Sequence, residues 1–351
     1  MNRFTVEPVH PKGIMATITD VALAAGVSRA TVSYVLSGKR TISEPVCQRV
    51  REAVESLGYT PNAGARALAT SQTKVLALMA RFLSDEFAPA MLEFIRAVTD
   101  GARDLGYDTL LVSDEDGVAA LRRLAASRMV DGIVLLNVGE DDDRLRVLAE
   151  IDQPSVLIGS PGDPAGLLVF DLDFRSTGRL MVRHLHAFDH REVVLVSQPR
   201  RVVDRGGAYV WRLAAGAKEM ADRLGVTLHR HHAAASQPDV GRQLHDILDM
   251  HPDATGILLN NEAAAAALPF VLRERGLRAP DDVSVIGRYS DDFARAFSLP
   301  FTAIDSAAGE LGRRAVAQLV GAIEDAAPRD AHLLLPPVVI DRGSVAQPPQ
   351  P

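Results

Sequence analysis

The sequence predicts a protein of mixed class, with a small all-helical head, a short hinge helix and an α/β body of two doubly wound subdomains. Three observations carry this prediction. Near the N-terminus, Gly26 separates two short amphipathic helical patterns. From Lys74 onward, apolar runs of strand length alternate with helical patterns. The charge also changes: residues 1–74 contain nine basic and five acidic residues, a net +4, while the whole chain carries −7, so the remainder carries −11.

The first two helices of the head are predicted from caps and apolar spacing. We expect Thr19 to cap the first helix, with Asp20 in its first turn, where a carboxylate interacts favourably with the helix dipole. Gly26 ends this helix, as a tight turn between crossing helices requires, and Ser28 caps the second. The apolar positions of the pair are Val21, Ala22, Ala25, Val32 and Val35. This pattern predicts a helix-turn-helix.

The second helix presents a polar face with the chemistry of a DNA-binding surface. Arginine can donate two hydrogen bonds to guanine, and hydroxyl groups bind phosphates. A basic head on an acidic body also favours a polyanionic partner for the head alone. The alternative is the solvated face of a small helical bundle. The residues predicted to form this face are Arg29, Ala30, Thr31, Ser33 and Tyr34. The cap residues Thr19, Ser28 and Ser43 are also expected to contact DNA.

A third helix and a marginal fourth complete the head and hinge. Ser43 is predicted to cap the third helix, Pro45 lies in its first turn, and the segment "LGYTPN" ends it. The alanine-rich stretch "AGARALAT" is too short to form a stable helix alone. A marginal helix between a DNA-binding head and a large body suggests a segment that folds only when DNA is present.

The body shows two consecutive series of buried strands and helices. The first contains "KVLALMA", "YDTLLVS", "VDGIVLLN" and "QPSVLIG"; the second runs from "GLLVFDL" to "DVSVIGR". Two such series predict two doubly wound subdomains with a ligand cleft between them. The predicted domains are a tail at 1–15, the head at 16–61, the hinge at 62–73, the body at 74–346 and a tail at 347–351. Within the body, we expect 74–170 with 297–330 in one subdomain and 171–296 with 331–346 in the other.

Composition excludes several classes of protein. The single cysteine, Cys47, cannot form an internal disulfide, which fits a reducing compartment. The sequence contains no apolar run long enough for a membrane helix, and its first residues lack the pattern of a secretion signal. We therefore expect a cytoplasmic protein with no membrane partner.

The stretch from Ile18 to Thr70 resembles the DNA-binding head and hinge of the lactose-repressor (LacI/GalR) family of bacterial transcription regulators. The resemblance implies a nucleoid-associated homodimer, acting as a repressor on a palindromic double-stranded operator. It implies base contacts by Arg29, Ala30 and Tyr34. In that family the hinge helices lie in the minor groove and a leucine from each opens a base step. This leucine matches Leu68, and Asn62 and Ala65 match other hinge positions.

The body resembles the periplasmic-binding-protein-like body of the same family, which implies a small-molecule effector in the cleft. The family's contact positions match Phe87, Asp173 and Glu262, the last within "NNE" where the family has Asn-Asp. The family's arginine falls at Leu213, so Arg212, one residue earlier, is expected to contact the effector instead. The segment that begins at Arg288 also departs from the usual Gly-aromatic-Asp-Asp. We expect a small polar effector, a sugar or sugar derivative; an atypical effector, or none, is the alternative.

Other motifs predict neither catalysis nor a cofactor. The histidine groups around "HLHAFDH" and "HRHH" are interpreted as structural, so no metal site is predicted. The sequence has no Walker-type phosphate loop, nucleophile elbow or zinc-protease pair, so no catalytic residues are assigned. Two other classes of protein fit the sequence less well. A transport-type solute-binding protein does not explain the fused head, and an enzyme on this α/β body lacks catalytic motifs.

Overall fold

The computed structural model describes residues 16–37, 40–59, 72–82, 88–114, 116–324 and 332–349. The chain divides into two units, Met1–Thr73 and Lys74–Pro351. In the first unit, the described helices are α1 (Ile18–Ala25), α2 (Arg29–Ser37) and α3 (Glu44–Leu57).

In the second unit, the described strands form two sheets, each with helices on both faces. Its described elements, in chain order, are β1 (Val75–Met79), α4 (Ala88–Asp104), β2 (Asp108–Val112), α5 (Gly117–Ser127), β3 (Gly132–Leu135), α6 (Arg144–Glu150), β4 (Ser155–Ile158), β5 (Leu168–Leu172), α7 (Phe174–His186), β6 (Glu192–Ser197), α8 (Arg200–Asp204), α9 (Ala208–Leu224), β7 (Thr227–His232), α10 (Asp239–Met250), β8 (Gly256–Asn260), α11 (Glu262–Glu274), β9 (Ser284–Arg288), α12 (Asp291–Ala296), β10 (Thr302–Ile304), α13 (Ala308–Ile323), β11 (His332–Leu335) and β12 (Val339–Ile340).

The described strands form two doubly wound lobes. The first sheet has the order β11-β5-β4-β3-β1-β2, with parallel pairing throughout. The second has the order β12-β10-β9-β8-β6-β7 and is parallel except where β12 pairs antiparallel with β10. A parallel sheet needs apolar side chains on both faces because helices cover both. Accordingly, Leu76 and Leu78 of β1 belong to one core cluster, whereas Ala77 and Met79 belong to another.

The predicted subdomain boundaries differ from the observed strand assignments at three places. Leu168–Leu172, expected at the boundary of the second series, is a strand of the first sheet. Thr302–Ile304, expected in the first subdomain, pairs with β9 in the second sheet. His332–Leu335, expected in the second subdomain, pairs with β5 in the first. Partner choice in a parallel sheet is a long-range property, so an apolar run alone does not reveal it.

Among the described residues, three chain segments connect the lobes, and they hydrogen-bond to one another. The chain crosses after β5, after β10 and after β11. Asp173 N donates to Leu335 O at 2.9 Å, and Asp305 N donates to Val338 O at 3.0 Å. The lobes are therefore joined by three short crossover segments whose backbones hydrogen-bond to one another. No helix among the described residues is long and apolar enough to cross a membrane.

Candidate functional site

The first helix of the head is capped by Thr17, not by Thr19 as predicted. Thr17 Oγ1 accepts a hydrogen bond from Asp20 N at 3.4 Å, and Asp20 Oδ2 accepts from Thr17 N at 2.8 Å. These reciprocal bonds form a capping box, which requires a spacing of three residues. Thr19 lies only one residue before Asp20, inside the helix and exposed. The cap prediction for Thr19 is therefore wrong.

The turn between α1 and α2 has the predicted geometry. Gly26 has φ 65° and ψ 39°, a left-handed conformation that other residues adopt at a cost. Its N–H donates to Leu23 O, and Val27 N donates to Ala22 O at 3.0 Å, which closes the helix end. Ser28 Oγ then accepts from Thr31 N at 3.1 Å and caps α2.

A small valine core fixes the angle between these helices. Val21 of α1, Val32 of α2 and Val50 of α3 are fully buried against one another and against small alanines. Arg49 Nε donates to Ala25 O at 3.2 Å, so α3 also holds the carbonyl end of α1. Ser43 precedes α3 at the cap position, but its hydroxyl makes no capping bond. We therefore assign Ser43 no side-chain role in capping the helix.

The outer face of α2 presents most of the predicted residues to solvent. Arg29, Ala30 and Ser33 are exposed, and 36% of Tyr34 is accessible. The Arg40 guanidinium lies 5.6 Å from the centre of the Tyr34 ring. Thr31 differs from the prediction: it is half-buried, and its Oγ1 lies 2.9 Å from Ser28 Oγ. The exposed groups of this face are thus a guanidinium, a small methyl, a hydroxyl and a phenol.

A cavity of about 740 Å³ lies between the two lobes of the body. Its volume falls within the range of about 300–1,000 Å³ that small-molecule sites occupy. Both lobes contribute aromatic and charged side chains to its lining, among them Phe94, Asp171, Phe174, Tyr209, Glu262 and Arg288.

A buried ion pair forms part of the lining of the cavity. Arg288, at the end of β9, bonds to the carboxylate of Glu262, the first residue of α11, and only 7% and 5% of these residues are exposed. Gln198 Nε2 donates to the same carboxylate at 2.6 Å, and Arg288 Nε donates to Asn260 Oδ1 at 2.9 Å. These residues follow three adjacent strands, whose carboxyl ends meet at one edge of the sheet.

Two further carboxyls of the lining lie in poorly solvated positions. Burial raises the pKa of Asp171 from 3.8 to about 7, although backbone N–H groups of Leu172 and Ser160 donate to it. Burial also raises the pKa of Glu93, which accepts a hydrogen bond from the Ser290 hydroxyl of the opposite lobe. Near neutral pH, Asp171 therefore exists in both its protonated and its charged form.

Comparison with known proteins assigns both units of the chain. The family described as bacterial regulatory proteins, lacI family, matches residues 17–62, and the periplasmic binding protein-like domain matches residues 182–345. An HTH-type transcriptional repressor, PurR of Photobacterium profundum, is 30% identical over 323 residues, which are 89% of this chain and 93% of that protein. The chain belongs to the LacI family of bacterial regulatory proteins.

Solved structures of LacI-family members share the fold. The lac repressor dimer bound to operator and the anti-inducer ONPF has a TM-score of 0.78 at 24% identity, over 94% of this chain and 99% of that one. The transcriptional regulator CelR in complex with cellobiose has a TM-score of 0.63 at 27% identity, again over 94% and 99%. The protein is thus a LacI-family, DNA-binding transcription regulator with a helix-turn-helix head and a periplasmic-binding-protein-like body.

In this LacI-family chain, the predicted effector residues do not all converge on the cavity. Glu262 lines it, whereas Asp173 does not: its carboxylate caps α7 by accepting from Ser176 N at 2.8 Å. Arg212 also lies outside the lining. Its guanidinium donates to Ser160 O at 2.5 Å and to Glu140 at 2.8 Å, so it ties the second lobe to the first.

Four family-derived positions lie outside the described residues: Phe87 of the effector site and Asn62, Ala65 and Leu68 of the hinge.

The cavity also contains residues that the sequence did not predict as part of it. Asp171 lies two positions before the predicted Asp173, on a strand whose side chains alternate between faces. For Arg288, the sequence indicated only that it begins the segment that departs from the family's Gly-aromatic-Asp-Asp pattern. Its pairing with Glu262 spans 26 positions of the chain, which no local pattern predicts.

Proposed function

We propose that this LacI-family regulator represses transcription as a homodimer on a palindromic operator. We further propose that a small polar ligand, a sugar or sugar derivative, binds between the lobes and alters operator affinity. The observation that carries the proposal is the capped helix-turn-helix, whose second helix exposes Arg29, Ala30, Ser33 and Tyr34 together. Such a protein acts in the bacterial cytoplasm, at the nucleoid.

The exposed face of α2 suits one operator half-site. Arg29 begins the helix and forms no ion pair with the described residues, so its guanidinium is available for a guanine edge. Ala30 leaves space beside it, and Tyr34 lies one turn further along. The excess of basic residues in 1–74 supplies sequence-independent attraction to phosphates.

A homodimer follows from the small footprint of this helix. A nine-residue recognition helix reads a few base pairs, so a palindrome needs two copies related by two-fold symmetry.

The lining of the cavity supports a polyhydroxylated ligand. Aromatic rings from both lobes offer faces for a sugar ring, and carboxylate, guanidinium and amide groups suit hydroxyls. Two buried polar atoms of the lining, Arg81 Nε and Ser306 Oγ, have no hydrogen-bond partner among the described residues. An unpaired buried polar atom costs about 1–3 kcal/mol, so a ligand that bonds to it gains affinity. The CelR–cellobiose complex supports a sugar.

Three contacts cross the cavity from one lobe to the other. Arg96 pairs with Asp292, the Ser290 hydroxyl donates to Glu93, and Arg212 bonds to Glu140. All three contacts depend on how closely the lobes approach. A ligand changes operator affinity only if it binds one state of closure better than the other.

The second candidate is a LacI-family regulator without an effector. The pairing of Glu262 with Arg288 and Gln198 favours it, because these groups already satisfy one another without a ligand. Both candidates share the same DNA-binding head.

Selection of DNA from a random library by the full-length protein tests the first part of the proposal. The expected result is one enriched inverted repeat, bound by two protein chains; recovery of no common sequence contradicts it.

Thermal-shift screening of the full chain against sugars, nucleosides and phosphorylated metabolites then tests whether a ligand binds between the lobes. A stabilising hit should be lost in Glu262→Gln and kept in Glu274→Gln, an exposed change on the same helix. A hit insensitive to Glu262→Gln contradicts the site, and the lack of any hit favours the second candidate.

A further inference from the structure

Three imidazoles and a carboxylate meet on the outer edge of the second lobe. Glu192 is the first residue of β6, His229 and His231 lie on the neighbouring edge strand β7, and His251 follows the last turn of α10. In the parallel pairing of these strands, His229 lies opposite Val194 and His231 opposite Val196. Side chains two residues apart on a strand share a face, so both histidines point to the same side of the sheet.

The ligand atoms of this cluster are close together. Glu192 Oε1 lies 2.9 Å from His229 Nε2, and the His229 and His251 rings stack at 3.9 Å between centroids with 21° between planes. His251 Nε2 lies 2.8 Å from His231 Nε2. One ligand atom from each of Glu192, His229 and His251 lies within 4.8 Å of the other two. Ligands around a tetrahedral zinc ion lie about 3.3 Å apart, so binding an ion would draw these atoms together by up to about 1.5 Å.

We propose that Glu192, His229 and His251 bind a divalent transition-metal ion of the zinc class, with His231 within reach as a fourth ligand. Imidazole nitrogens with one carboxylate oxygen favour zinc, nickel or copper over magnesium and calcium, which prefer all-oxygen sites. The site is partly exposed, so an ion can enter from solvent.

The facing rings of His231 and His251 leave room for a metal ion in place of a proton. Their Nε2 atoms lie 2.8 Å apart, so without a metal ion one of the two must carry the proton that lies between them. A metal ion can replace that proton.

The site is separate from the proposed effector site. None of Glu192, His229, His231 and His251 lines the cavity between the lobes. A bound ion would join the start of β6, the edge strand β7 and the end of α10, and so would stabilise the outer part of the second lobe. Sequence analysis interpreted "HRHH" as structural. The other members of the cluster, Glu192 and His251, lie 37 and 22 positions away from His229 along the chain, so no local pattern joins them to it.

Titration of the tag-free, chelator-treated full-length protein with zinc chloride tests the inference. We expect saturable binding of one zinc per chain, seen by calorimetry, and a raised thermal unfolding midpoint; magnesium chloride should produce neither. His229→Ala and His251→Ala should each weaken zinc binding at least about tenfold. His332→Ala changes an exposed histidine of the other lobe and should leave zinc binding intact.

Circular dichroism without metal verifies that each variant is folded, and Glu192→Gln supplies a milder change if a histidine variant is not. Absence of saturable zinc binding overturns the inference. So does binding of equal strength in folded His229→Ala, His251→Ala and Glu192→Gln. Because neither outcome involves DNA or an effector, failure here is distinguishable from failure of the proposed function.

Discussion

Replacing Arg288 by alanine tests the account of the cavity most sharply. The wild-type guanidinium pairs with Glu262, donates to Asn260 and lies within 6.0 Å of the ring centres of Phe174 and Tyr209. Arg288→Ala leaves the buried Glu262 carboxylate with Gln198 as its remaining described partner. A buried charge that loses its counter-ion retains its desolvation penalty without compensation.

The expected loss of stability follows from this burial. Because only 5% of Glu262 is exposed, solvent does not replace the missing partner, and the free energy of unfolding should fall by about 3–5 kcal/mol. With an unfolding entropy of about 2.1 cal/mol/K per residue, the midpoint of the unit Lys74–Pro351 should fall by about 5–9 °C. Arg288→Met combined with Glu262→Gln removes both charges and should recover most of this loss.

Differential scanning calorimetry and urea unfolding measure these changes. Arg295→Ala is the matched control, because Arg295 pairs with Asp291 and Asp292 on the exposed surface of the same lobe. Exposed pairs contribute about 0–1 kcal/mol. If Arg288→Ala destabilises no more than Arg295→Ala, or if the double variant is as unstable as the single one, the burial argument is refuted.

The remaining predictions concern a helix cap, a helix contact and pH. Thr17→Ala should lower the stability of the head by about 1 kcal/mol, whereas Thr19→Ala should not. In Gly178→Ala, the new Cβ would overlap the backbone oxygen of Leu213, so separation of α7 from α9 should cost about 3 kcal/mol or more in urea unfolding. The raised pKa of Asp171 means that the folded state keeps a proton up to about pH 7 that the unfolded chain loses near 3.8. Stability should therefore fall across this interval by up to about 1.4 kcal/mol per pH unit, and Asp171→Asn should flatten the slope.

Each of these predictions has a contradicting result. Equal effects of the two threonine variants would refute the capping box. A harmless Gly178→Ala would show that α7 and α9 can separate freely; Gly309→Ala, whose nearest neighbour is the flexible end of Arg313, is its control. An unchanged pH slope in Asp171→Asn would show that Asp171 does not titrate in this range.

Local sequence patterns predicted the head because its determinants lie within a few residues of one another. Gly26 is the left-handed end of α1, and Ser28 caps α2, as their positions indicated. The error at Thr19 was also local. Thr17 and Asp20 have the spacing of a capping box, and this signal was present in the sequence.

The sequence predicted the position of the cavity but not most of the side chains that line it. The order of strands and helices placed it at the carboxyl ends of parallel strands, and Glu262 lies there. Asp173 and Arg212 are not among the lining residues because each has another partner. The Asp173 carboxylate caps a helix, and the Arg212 guanidinium bonds to Glu140 of the other lobe. Such competition among partners is a tertiary property, and so is the pairing of Arg288 with Glu262.

The base preference of Arg29→Ala tests the central claim most directly. Binding of the wild type, Arg29→Ala and Arg51→Ala to the selected operator and to its single-base variants should be measured at one salt concentration. Arg51 is an exposed arginine of α3 that pairs with Glu44 and serves as the charge-matched control. We expect Arg29→Ala to lose about 1–3 kcal/mol and its preference at one base pair per half-site, while Arg51→Ala keeps every preference. A uniform loss over all sequences, or no loss, would contradict base recognition by α2.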